Sequence, residues 1–277
     1  MTQPALTLRF LGTAAAESFP APFCTCVNCQ AARRNGGRDI RRRSALLVND
    51  DLLIDFGPDV FQSFQEFGLD ATNVRTLLIT HGHSDHLAPD SFIYRTPGFR
   101  RFTELPGLDV HAPADALDQI LHLMGAKLED AGLRLLPLKA GDTVESGGYV
   151  IRPLEAVHGG DEHECVTYLV ERDGARFLYG TDTGPFPESA WSILAQYPPQ
   201  LAIIDSTMGH LSGGSHMGFE QVKETVARLR QIAGADMRAI AHHFSHQANP
   251  THDELVRIYA GDHIGVSFDG MIVDLPA

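Results

Sequence analysis

The chain has 277 residues, enough for one α/β domain with a sizeable core. Its 22 basic and 35 acidic side chains leave a formal net charge of −13, which disfavours non-specific binding to long nucleic acid, whose phosphates want a basic surface. No apolar run is long enough to span a bilayer, residues 1–11 lack a basic start followed by an apolar signal core, and no linker, repeat or low-complexity tract interrupts the chain; a single domain over 1–277, in the cytoplasm and away from membranes, is expected.

The first strand is predicted at 6–11. Three thiols follow within six residues, Cys24, Cys26 and Cys29. Thiols this close in a chain without secretory features read as a structural zinc site, which wants a fourth ligand from elsewhere. The basic stretch Arg33, Arg34, Arg38 and Arg41 to Arg43 reads as a solvated loop that balances the acidic remainder, ahead of a role in gripping phosphate. Strands are predicted at 44–48 and 52–55, a short helix at 58–67, and a strand at 76–79.

Directly after that strand stands His81-Gly82-His83-Ser84-Asp85-His86. Three imidazoles and a carboxylate at this density are poorly explained by a polar loop. In a turn at a strand end, His81 and His83 can chelate one divalent ion while Asp85 and His86 reach a second beside it. The donors suit zinc or manganese, with iron as a further option.

The pattern continues with strands at 108–111, 149–155, 165–171, 176–179, 201–205, 239–242, 264–268 and 271–275, and helices at 115–124, 188–197 and 251–259. Helical periodicity is clearest at 219–232, where Val222, Val226, Leu229 and Ile232 share a face. Cys165, in an apolar run, reads as an inert core thiol. Two sheets with helices on both outsides fit this order.

His81-x-His83-x-Asp85-His86 resembles the signature of the metallo-β-lactamase superfamily, mostly dinuclear hydrolases. The resemblance implies an αββα sandwich, two mixed β-sheets flanked by helices; periodicity alone does not choose it over other α/β layers. It also implies a distant histidine, a bridging aspartate and a last histidine. His158, Asp182 and His243 are the candidates, each just past a strand-like stretch. Asp55 resembles the family's buried acid that orients the histidine loop; as a helix N-cap before Pro58 it reads nearly as well. The implied centre holds one metal on His81, His83 and His158 and the other on Asp85, His86 and His243, with Asp182 between them.

Cys-x-Cys-x-x-Cys, His243-Phe244-Ser245-His246-Gln247 and Val266-Ser267-Phe268-Asp269-Gly270-Met271 are similar to the branch typified by the phosphoribosyl cyclic phosphodiesterase of phosphonate breakdown. His246 is the choice for the fourth zinc ligand, because one short segment could then serve both metal sites. In that branch a histidine of the loop before the long helix faces the substrate phosphate without binding metal. His216 is the candidate and His210 the alternative, while a surface histidine is an equally good reading of His216 from sequence. His111, His122, His163, His242, His252 and His263 are read as structural; a one-residue change of register would exchange His242 with His243.

The resemblance implies a hydrolase that takes a small phosphodiester, such as a cyclic nucleotide- or sugar-phosphate, through a hydroxide shared by two catalytic cations, with Asp85 and His216 as the catalytic side chains and one structural zinc besides. A homodimer is compatible with this. The same Cys-rich start and Phe-Asp-Gly-Met end also resemble the B protein of pyrroloquinoline quinone biosynthesis, a non-hydrolytic alternative whose histidine signature is eroded where this one is intact. Hydrolysis of another ester, lactone or thioester is a further alternative. Loops 88–105 and 209–217 carry no readable specificity motif.

Overall fold

The computed structural model describes residues 4–101, 104–160 and 163–277; among these, fourteen strands form two seven-stranded sheets. In the first sheet β1 (Leu6–Gly12), β2 (Ala45–Val48), β3 (Leu52–Ile54), β4 (Thr76–Leu78), β5 (Leu108–Ala112) and β6 (Leu133–Pro137) lie side by side, and β14 (Ile272–Leu275) closes on β1. The second runs from β7 (Val144–Ser146) through β8 (Tyr149–Glu155), β9 (Val166–Arg172), β10 (Ala175–Gly180), β11 (Leu201–Asp205) and β12 (Arg238–His242) to β13 (Ile264–Val266). Each sheet is mixed. Strands β3 to β6 and β10 to β13 pair in parallel, and the remaining pairs are antiparallel.

Alternation along the strands explains the layers. Leu6, Leu8 and Phe10 on β1, Leu52 and Ile54 on β3, Ile151 on β8, and Phe177 and Tyr179 on β10 meet in one buried cluster between the sheets. The opposite face of the first sheet, including Leu47, Leu53 and Leu77, packs on α2 (Val60–Glu66), α3 (Ala114–Met124) and α4 (Lys127–Ala131). The second sheet's outer face packs on α5 (Glu188–Gln196), α6 (Phe219–Ala233) and α7 (His252–Tyr259). Both faces of each sheet are therefore covered, so the strands read as near-continuous apolar runs. This is the expected αββα sandwich.

Two expectations need correction. The stretch read as a solvated basic loop is largely structured: Arg33 and Arg34 end helix α1 (Val27–Asn35), and Arg41 is buried, donating to Thr13 Oγ1 at 2.9 Å and to the Ser267 carbonyl at 2.6 Å. Arg33, Arg34 and Arg38 are exposed as expected, and composition misplaced Arg41 because it carries no information about a buried polar network. Cys165 is half-buried in the loop before β9, with burial pushing its thiol up to about 12. It is therefore not the core thiol that the apolar run suggested.

Candidate metal centre

The site lies where strand ends of both sheets meet. β3 and β4 deliver Asp55 and the His81–His86 loop, β8 and β10 lead into His158 and Asp182, and β11 and β12 end at Asp205 and into His243. Three of these residues, Asp55, Asp182 and His243, have left-handed backbone at φ 65°, 59° and 62°. That conformation disfavours any side chain, and it recurs where a fold must aim a functional group. Gly57 is required for a different reason: a Cβ there would sit 1.9 Å from the Asp85 carbonyl oxygen, so only glycine lets the two loops approach.

The seven candidate ligands fall into two interlocking sets. His81, His83, His158 and Asp182 bring one donor atom each to within 4.8 Å of one another, as do Asp85, His86, Asp182 and His243. His83 Nδ1 is 2.8 Å from His81 Nε2 and 3.1 Å from His158 Nε2, and Asp182 Oδ2 is 2.8 Å from His86 Nε2. The Nε2 atoms of His86 and His243 are buried and make no well-aligned hydrogen bond. Imidazole nitrogens and carboxylate oxygens buried around common points fit divalent cations, since such groups otherwise leave their polarity uncompensated.

Electrostatics agree with that fit. Burial holds His81, His83 and His158 below the ordinary imidazole range, which keeps their lone pairs free. Desolvation opposes the charge on Asp182, yet His243, His86 and His81 hold its carboxyl well below the usual range. Burial also works against a proton on His86, but Asp85, Asp55 and Asp182 raise it well above its ordinary value. A cation arriving at His86 would displace that proton.

Two outer carboxylates orient the cluster. Asp55 Oδ2 accepts from His86 Nδ1 at 2.7 Å, and its Oδ1 accepts from the Thr80 hydroxyl, which lies 3.0 Å from His81 Nδ1. Helix α2 begins later, after Asp59, so the N-cap reading of Asp55 falls away. Asp205 mirrors it. Its Oδ2 accepts from the Thr207 hydroxyl, 2.8 Å from His243 Nδ1, and lies 3.1 Å from His216 Nδ1. The sequence reading missed Asp205, although Leu201-Ala202-Ile203-Ile204-Asp205 repeats the apolar run closed by aspartate in Leu52-Leu53-Ile54-Asp55.

His216 lines the pocket over the cluster, about 370 Å³, with its ring 4.8 Å from that of His158. Burial lowers its basicity, but Asp205 and Asp182 outweigh it and bring the ring up to about 9. His210 is turned away, its Nδ1 2.8 Å from the Ala248 carbonyl. His242 packs between the sheets against Phe10 and Tyr179, with Nδ1 on the Ser267 hydroxyl, so the register places His243 in the site. His163, read as structural, stands edge-on to His83 with 4.7 Å between ring centres and holds Asp115 at 2.9 Å. A separate apolar cavity of about 220 Å³ beside Phe56, Phe61 and Phe64 shares no lining residue with the pocket over the metal-ligand cluster.

The thiols gather about 220 residues away in sequence from their histidine. Donor atoms of Cys24, Cys26, Cys29 and His246 all lie within 4.8 Å of one another, and Cys26 Sγ is 3.5 Å from His246 Nδ1. Tetrahedral zinc with Zn–S near 2.3 Å has edges of roughly 3.7 Å, so the set fits. Cys26 Sγ also caps α1 by accepting from the Cys29 N–H. Burial opposes ionisation of Cys26, but that N–H, His246, Cys29 and Cys24 bring it down to about 6, whereas burial, Cys26 and Cys24 push Cys29 up to about 12.

A family model described as the beta-lactamase superfamily domain matches residues 51–244. The chain belongs to that superfamily. Within the superfamily it is similar to coenzyme PQQ synthesis protein B of Ruegeria pomeroyi, 26% identical over 230 residues that cover 76% of this chain and 70% of the relative. A ribonuclease Z of Mycolicibacterium gilvum is 25% identical over 168 residues, 56% of this chain and 57% of that one. Among solved structures, a diphosphatase of the PhnP family matches with TM-score 0.77 at 20% identity over 98% of both chains. Zinc-bound PqqB from Methylobacterium extorquens matches with TM-score 0.74 at 17% identity over 97% of this chain and 100% of that one. At these identities the two structures establish the superfamily fold.

Proposed function

We propose that the chain is a metal-dependent hydrolase, a phosphodiesterase for small diesters. The observation that carries this reading is the pair of donor sets sharing Asp182, with the unligated His216 beside them. His81, His83 and His158 would hold one cation, Asp85, His86 and His243 the other, and Asp182 both. Zinc or manganese bound there supplies Lewis acidity toward phosphate oxygens and a water acidified from pKa 15.7 to about 7. His216, protonated between Asp205 and Asp182, donates to a phosphate oxygen or to the departing alkoxide. Asp85 Oδ2 lies 3.1 Å from His86 Nε2 and would keep a negative charge in the second donor set. Cys24, Cys26, Cys29 and His246 would hold a structural zinc.

Long RNA is the weaker substrate despite the likeness to ribonuclease Z. The net charge is −13, and no lysine or arginine lines the pocket among the described residues. A second reading has one specific support: Asp182, Asp205, His216 and His243 also converge within 4.8 Å, a two-histidine set with carboxylates of the kind that holds a single non-haem iron. The two readings separate by metal content and gas consumption. Protein purified without a metal-affinity tag and loaded with zinc or manganese should hydrolyse bis(p-nitrophenyl) phosphate and leave p-nitrophenyl phosphate untouched. His216→Ala should keep its metal and lose roughly 10²–10⁴-fold in kcat on diesters with poor leaving groups. One iron per chain with oxygen uptake and no diester turnover would replace the hydrolase reading.

A further inference from the structure

One charged group in the catalytic pocket has no part in the chemistry above. Ala15, Ala16 and Glu17 line the pocket because the loop after β1 zips onto the segment after β12: the Phe244 N–H donates to the Thr13 carbonyl at 3.0 Å, and the Ala15 N–H donates to the Phe244 carbonyl at 3.1 Å. Glu17 Oε1 accepts from the Ser245 hydroxyl at 2.5 Å and lies 3.5 Å from His246 Nε2. The opposite nitrogen of the same ring faces Cys26. The carboxylate is thus steadied from the thiolate side, in the way carboxylates orient metal-binding histidines, and the same residue lines the pocket. Its Oε2 receives no hydrogen bond from a described residue, and 28% of the side chain is open.

We infer that Glu17 determines substrate specificity: Oε2 accepts a hydrogen bond from a hydroxyl of a singly charged phosphodiester, as on a glycerol or sugar, and repels a substrate carrying a second phosphate. The inference rests on the phosphodiesterase reading. Two facts support it together. A fixed acceptor with a free lone pair favours a ligand that brings a donor and penalises one that does not. No lysine or arginine is among the described lining residues, so a second phosphate beside this carboxylate would meet its negative charge without a permanently charged cation in the lining to offset it.

The test uses the zinc-loaded full chain and three nitrophenyl esters: methyl p-nitrophenyl phosphate, its 2,3-dihydroxypropyl counterpart, and the latter phosphorylated on its terminal hydroxyl. Wild type should prefer the dihydroxypropyl to the methyl ester by roughly tenfold or more in kcat/KM, carried by KM. Glu17→Ala should erase that preference, bringing kcat/KM on the dihydroxypropyl ester down to the level of the methyl ester while the thiolate-bound zinc is retained. Glu17→Gln, which keeps an acceptor for Ser245, should improve the phosphorylated ester by about tenfold. Equal loss on both uncharged-arm esters, an unchanged preference, or loss of the thiolate-bound zinc would overturn the inference and leave Glu17 as a support for His246. Calorimetric binding of 2,3-dihydroxypropyl methyl phosphate against dimethyl phosphate is measured in parallel. If no diester is turned over, the phosphodiesterase reading fails, and the presence or absence of a Glu17-dependent binding difference still decides the role of Glu17.

Discussion

Asp55 and Asp205 do the same job from opposite sheets. Each ends or follows an apolar strand, each grips a threonine hydroxyl, and each fixes the far nitrogen of a candidate ligand. Only Asp55 was legible beforehand, because the family pattern pointed to it; the matching run before Asp205 was read as a strand and its last residue as part of that strand. The ligand-type residues themselves were legible because imidazoles crowded into six positions have few other uses. His216 was a candidate only through the family resemblance, with His210 left open, since a polar loop gives no sign of which way its histidines point. Asp205→Asn should weaken the metal affinity of the proposed dinuclear centre by roughly 10–100-fold, as loss of such outer partners does, while far-ultraviolet circular dichroism stays unchanged. Competition against a zinc-binding dye measures it, and wild-type affinity in the variant would mean that Thr207 alone holds His243.

At the scale of elements, the long strands and α6 were predictable to within a residue or two, because both sheet faces are buried and α6 carries a full apolar stripe. The missed elements share a cause. β6 and β7 are edge strands, short and carrying Arg134 and Glu145, and α4 spans five residues. Helix α1 buries only Cys29 and Ala32, so it shows no apolar stripe, and its cap is a cysteine where serine or threonine would have signalled a start. That cap makes Cys26→Ser a clean probe. Serine caps a helix well, so the variant keeps α1's first turn and loses the metal. It should hold one zinc fewer per chain under reducing conditions and melt roughly 5–10 °C lower, for a loss of a few kcal/mol. Mass spectrometry of bound metal and scanning calorimetry check both; an unchanged zinc count would remove the thiolate site.

Across the whole molecule, buried Arg41 ties together segments far apart in sequence. It reaches Thr13 after β1, Ser267 after β13, the Phe244 ring at 4.5 Å, and His252 at the start of α7, whose Nδ1 accepts from it at 3.1 Å. Burial and the charges of Arg41 and Arg38 hold His252 down to about 4. The folded chain therefore keeps this ring neutral while the unfolded chain titrates near 6.5, so acidification protonates the unfolded form first. The contribution to stability is complete above about pH 6.5 and drains away as pH falls toward 4. Urea unfolding at pH 7 and pH 5 should show a smaller drop for His252→Gln than for wild type; identical drops would place the acid sensitivity elsewhere. The left-handed corners at Asp55, Asp182 and His243 have a consequence on a longer timescale. Each costs roughly 1–3 kcal/mol that glycine would recover. Selection for folding alone would favour glycine at all three, so two aspartates and a histidine at such corners are what the proposed roles of those side chains predict.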